Sequence, residues 1–142
     1  MKRKILVILG IFIIILIFVI VLLYNYNIDK KRAQSFNSQY EVYYDKTIFG
    51  TDLATLLNKV ADYNEQNEVP KDSNEIYYLE TENSIFIEIK FIGKDEIVKS
   101  EDILFQDIEN FIKYYASENF KCTEIKYHEE NGQVKSLYFE QI

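Results

Sequence analysis

The side chains best suited to chemistry in this chain are its single histidine, His128, and its single cysteine, Cys122. A histidine can serve as a general base or metal ligand, and a cysteine as a nucleophile. Neither stands in a pattern that supports the role. No second histidine exists to build a metal site, and no second thiolate to build a zinc site or a disulfide. His128 falls near the tip of a C-terminal hairpin, on its expected solvent face. Cys122 is expected on the strand face opposite Ile125, beside Lys121 and Glu124, as a small unreactive residue.

Acids cluster at Glu80-Thr81-Glu82, Asp95-Glu96, Glu101-Asp102 and Glu129-Glu130. Each cluster falls at a turn or a helix start, where acids have ordinary reasons to be. Asp72-Ser73-Asn74-Glu75 lacks the spaced ladder of a calcium loop. No phosphate loop or nucleophile elbow occurs. The expectation is a non-enzymatic protein, with no catalytic, cofactor-binding or metal-ligating residues and no cofactor.

The elements that would position these residues begin with an apolar run over residues 5–23, which holds no charge and no proline. At about 1.5 Å per residue it spans about 30 Å, the thickness of a bilayer's hydrocarbon core. Lys2, Arg3 and Lys4 precede it; Lys30, Lys31 and Arg32 follow. It is longer than a signal-peptide core and exits into Leu22-Leu23-Tyr24-Asn25 with no small-x-small site. Apolar residues occupy every face, whereas a globular helix shows a stripe. We therefore expect a transmembrane anchor at residues 1–24, a juxtamembrane stalk at 25–46 and a soluble domain at 47–142. Tyr24 and Tyr26 stand where an interfacial aromatic belt would lie.

Three lysines or arginines flank each side of the run, so their count does not orient it. The N-terminal amine, Asp29 and the four-residue tail tilt the balance toward an N-terminus in the cytoplasm. The expected location is the cell membrane, single-pass, with the C-terminal domain outside. The chain's net charge of −7 divides into +5 over residues 1–32 and −12 over residues 33–142. An acidic domain disfavours nucleic acid, which needs a basic footprint, and disfavours lying flat on anionic lipid.

In the domain, Gly50-Thr51-Asp52 opens a helix capped by Thr51, with Leu53, Leu56, Leu57 and Val60 recurring at helical spacing. It should stop near Asn67, ahead of Pro70. Residues 76–79 read as a short strand, and residues 84–92 as a longer one with Ile85, Ile87, Ile89 and Phe91 on one face. Ser100 is expected to cap a second helix carrying Leu104, Ile108, Phe111, Ile112 and Tyr115. A closing hairpin turns at Asn131-Gly132. A three-residue loop, residues 130–132, sets Ile125 opposite Leu137 and Thr123 opposite Phe139, gathering the apolar residues on one face.

These elements predict an α+β fold. An N-terminal transmembrane helix precedes a two-layer domain, a four-stranded antiparallel sheet with helices on one face in the order α-ββ-α-ββ. The mixed outer face, with Phe86, Ile92 and Tyr138, offers a surface for an unidentified protein partner.

The segments Phe120-Lys121-Cys122-Thr123-Glu124-Ile125 and Phe49-Gly50-Thr51-Asp52-Leu53-Ala54 resemble small single-pass bacterial membrane proteins of unknown function. The resemblance implies no activity, ligand or catalytic residue. In outline the plan also resembles pilin-like subunits, which join a long N-terminal helix to a small antiparallel sheet. Such subunits are processed after a glycine and carry a glutamate five residues on; after Gly10 that position holds Ile15. The expected function is a membrane-anchored extracytoplasmic interaction or structural module. The alternatives are a pilin-like subunit of an envelope machine and a cytoplasm-facing tethered sensor.

Overall fold

A computed structural model describes residues 2–142. One continuous helix, α1, runs from Lys2 to Glu41. From Val7 to Tyr26 its apolar and aromatic side chains are exposed on every face. Nearer its C-terminus a stripe appears: Ala33, Asn37 and Tyr40 are buried and Phe36 is half-buried. That 3–4 spacing is the mark of a helix packed on one side. The change of pattern divides α1 into an apolar part and a docked part.

The domain is α+β, with strands β1 (Thr47–Phe49), β2 (Phe86–Lys90), β3 (Ile97–Lys99), β4 (Asn119–Tyr127) and β5 (Val134–Gln141). Among the described residues they form one five-stranded sheet, ordered β1-β4-β5-β2-β3. This corrects the four-stranded antiparallel sheet expected from sequence. β2 pairs parallel with β5, setting Ile87 beside Leu137 and Ile89 beside Phe139; the remaining pairs are antiparallel.

The cause lies at residues 70–79, where the expected strand is absent. Asp72 Oδ1 accepts the backbone N–H groups of Ile76 and Tyr77, and Leu79 N–H donates to Pro70 O at 2.7 Å. The segment folds on itself, leaving only a Lys71–Tyr78 bridge. β2 thus has no preceding strand to pair with; it forms a hairpin with β3, which follows it, and takes β5 on its other side.

The inner face of the sheet follows the period of two. Ile85, Ile87, Ile89 and Phe91 are buried, with Phe120, Leu137 and Phe139 on the neighbouring strands. Helix α2 (Gly50–Gln66) covers them with Leu53, Leu56, Leu57 and Val60. The second expected helix is broken in two, α3 (Ser100–Phe105) and α4 (Ile108–Tyr115). Asp107 sits at the break with φ +85°, and its carboxylate caps α4 through Glu109 N–H at 3.0 Å. The break leaves Ile112, expected on the apolar stripe, 38% exposed.

Two expected caps are also replaced. Lys99, not Ser100, holds the N-cap position of α3; Asp102 accepts its N–H, and Ser100 is buried with its Oγ donating to Glu101. At α2 the N-cap is Phe49, and Thr51 lies inside the helix. The first amides of α2 go to the end of α4 instead: Gly50 N–H donates to Glu118 O at 2.9 Å, and Thr51 N–H to Ala116 O at 3.2 Å. Orphan donors of α2 thus meet the C-cap carbonyl of α4 and a carbonyl just past it. The approach is so close that a Cβ on Gly50 would lie 1.9 Å from Tyr115 O. Gly50→Ala should therefore destabilise the domain by about 3 kcal/mol or more. Thermal unfolding of the full chain in detergent, followed by tyrosine circular dichroism, measures this.

Candidate functional site

Several polar side chains with long-range partners gather where α1 meets the β4–β5 hairpin. Asn37 presents its amide to the hairpin backbone: Nδ2 donates to Gly132 O at 2.8 Å, and Oδ1 accepts Val134 N–H at 2.9 Å. One helix turn on, Glu41 accepts from Tyr127 Oη at 2.9 Å. Between them lies Tyr40, 1% exposed, with the Phe36 ring 5.3 Å away and Lys59 Nζ 4.9 Å above its own ring. A shallow groove of about 660 Å³ runs along this seam between α1 and α2, bordered by Phe36, Lys59 and Tyr63.

The hairpin tip departs from the expected three-residue loop. Gln133 O accepts His128 N–H at 2.8 Å and His128 O accepts Gly132 N–H at 3.0 Å, so residues 129–132 form a four-residue loop. Gly132 is left-handed as expected, with φ +68°. Ile125 does pair with Leu137, but Thr123 bulges out and Cys122, not Thr123, faces Phe139. A bulge turns the residues beyond it over to the other face. Cys122 therefore lies fully buried among core residues, a correction to its expected outward position. Burial pushes its thiol up to about 11, so it is not a poised thiolate.

His128 also differs from expectation. It is 6% exposed rather than solvent-facing, with Nε2 2.7 Å from Ser84 O. A carbonyl only accepts, so Nε2 must carry the proton and acts as a donor. That nitrogen cannot take a proton from a substrate. Asn131 makes a second tie to the same loop, Nδ2 to Glu82 O at 2.6 Å. His128 and Asn131 thus fasten the hairpin tip to residues 82–84 while Asn37 fastens the start of its second strand to α1.

Asn64, near the end of α2, is 1% exposed. It brackets Ile85, donating to its O at 2.7 Å and accepting from its N–H at 2.9 Å. Glu101, expected as a first-turn acid, is 5% exposed and held by Ser100 Oγ at 2.8 Å. Sequence reasoning had no signal for Asn37, Asn64 or Glu101 beyond their being polar residues in helical stretches. Among the described residues, no group of three His, Cys, Asp or Glu comes together as a metal site. On the outer face, Phe86 and Tyr138 are half-buried, and Ile92, beyond the end of β2, is exposed.

The junction holds a helix against a sheet through paired amide hydrogen bonds. No protein-family model matches the chain, and neither curated proteins nor solved structures show significant similarity to it.

Removing the Asn37 amide leaves Val134 N–H and Gly132 O without their partner. Asn37→Ala should cost about 3 kcal/mol, and Asn37→Asp, which sets a buried carboxylate oxygen against Gly132 O, should cost no less. Urea unfolding of the full chain in detergent checks the order. The junction also carries a pH signature. Burial, then the neighbouring Tyr63 and Tyr43, push Tyr40 up to about 12 from an ordinary 10. Below pH 10 its contribution to stability is fully present. Between pH 10 and 12 the unfolded chain loses the proton while the folded one keeps it, so stability falls. Tyr40→Phe should make that alkaline decline shallower, by up to about 1.4 kcal/mol per pH unit. An unchanged slope would exclude Tyr40 as a source.

Proposed function

We propose that this protein is a single-pass membrane protein that displays an acidic α+β interaction module outside the cell, with its N-terminus in the cytoplasm. The observation that carries the reading is the course of α1. One helix, long and apolar enough to span a membrane, continues without a break into the turns that Asn37 and Tyr40 hold against the domain. An anchor joined by a slack linker would let its domain wander. A continuous helix docked at its far end sets the domain's height and attitude above the bilayer.

The charge distribution supports the same reading. The domain-bearing part, residues 33–142, carries −12, and the basic residues lie at both flanks of the apolar run. The sheet's outer face presents mixed side chains, with Lys121, Glu140 and Lys90 as neighbours across three strands. A partner protein meeting this face would find alternating charge around Tyr138. The module acts by position and contact, not by catalysis.

Alkaline carbonate washing should leave the full chain in the membrane fraction; its release would overturn the anchor. Protease added to intact cells should remove the domain. If the domain survives until the membrane is broken, the orientation is reversed and the module is a cytoplasm-facing tether.

A further inference from the structure

Just beyond the apolar run, α1 and the hairpin tip enclose a groove of about 750 Å³. One wall is helix, carrying Tyr26, Asp29, Lys30 and Arg32 and a net positive charge; the other is loop, carrying Glu82, Glu129 and Glu130. The walls are opposite in charge, yet among the described residues no ion pair of 4 Å or less joins them. Arg32 reaches only Asp29 on its own helix, at 4.0 Å, with both side chains largely exposed. The hairpin is kept from closing the gap by its own ties, Asn37 to Gly132 and Val134, and Asn131 to Glu82.

The depth of this groove is set by the helix. At about 1.5 Å per residue, Tyr26 stands about 5 Å beyond Leu23 and Lys30 about 10 Å beyond it. The polar headgroup layer on each side of a bilayer is about 5–8 Å thick. The lower end of the groove therefore opens within or at the top of that layer. Long basic side chains at this height extend back toward the interface.

We propose that the groove binds the headgroup of a phospholipid that carries both a phosphate and a primary amine. The phosphate, which is nearer the glycerol, meets Lys30 and Arg32. The ammonium, which is farther out, meets the carboxylates of Glu82, Glu129 and Glu130. Charge complementarity selects this chemistry over a purely anionic headgroup, which would satisfy the helix wall but face an unbalanced acidic one. The proposal rests on the membrane-anchor reading above, and adds that the domain recognises the lipid it stands on.

The test reconstitutes the full chain in phosphatidylcholine vesicles containing chain-spin-labelled phosphatidylethanolamine or phosphatidylglycerol. Electron paramagnetic resonance then reads the fraction of each probe that the protein restricts. The ethanolamine lipid should be retained about three- to tenfold better than the glycerol lipid, as two exposed ion pairs allow. Glu129→Gln/Glu130→Gln should remove the preference, and Glu129→Lys/Glu130→Lys should reverse it. These side chains are exposed at a loop tip, and tyrosine circular dichroism confirms that the variants fold. Equal restriction of the two lipids by the native chain, or a preference that survives both double variants, overturns the proposal. If neither probe is restricted and the protein washes off the vesicles, the anchor reading itself has failed.

Discussion

Two hydrogen bonds from one amide decide how this protein is put together. Asn37 reaches from α1 to Gly132 and Val134, about a hundred residues away in sequence, and takes the place of a neighbouring strand for that piece of backbone. Apolar burial around Tyr40 supplies attraction between helix and sheet, but it is not directional. The amide supplies direction, because a buried donor and acceptor must both be met. Asn64 does the same for Ile85, locking α2 to the start of β2. His128 and Asn131 bind residues 82–84 to the hairpin tip. The hydrophobic layers are thus held in register by a few short polar side chains at their margins.

The parts of this arrangement that sequence discloses are those with a local period. Ile85, Ile87, Ile89 and Phe91 alternate, and they bury together. Leu53, Leu56, Leu57 and Val60 mark α2, and the apolar run marks the long helix. The pairing of Ile125 with Leu137 follows from keeping apolar residues on one face. What stays hidden is set by distant partners. β1 and β3 have three residues each, too few for a pattern, and they are strands because β4 and β2 lie beside them. The parallel pairing of β2 with β5 depends on the collapse of residues 70–79 around Asp72. The Thr123 bulge turns Cys122 inward, and nothing local announces it. Asp107 could have been suspected as a cap, but the stripe that spans it reads equally well as one helix.

The same hidden contacts decide where the two reactive residue types lie. Cys122 and His128 are placed by the bulge and by the four-residue loop, and both end up inside. Their burial serves packing and loop closure. The surfaces left open are a sheet face of alternating charge and a groove beside the helix. Short strands at both edges of the sheet limit the backbone available for edge-to-edge association.

The strand order has a consequence for how the molecule comes into being. β4 and β5, which join β1 to β2 and β3 across the middle of the sheet, are synthesised after those three strands. β1 waits for β4, and β2 waits for β5, so earlier segments have a helix or a single edge neighbour but no sheet to join. Such non-local pairing makes folding slow, since loops must close before contacts reward them. A nascent chain therefore has no complete sheet until β5 arrives. The apolar helix at the other end has long since been made by then. A chain interrupted before β4 would have its long apolar helix and no completed core.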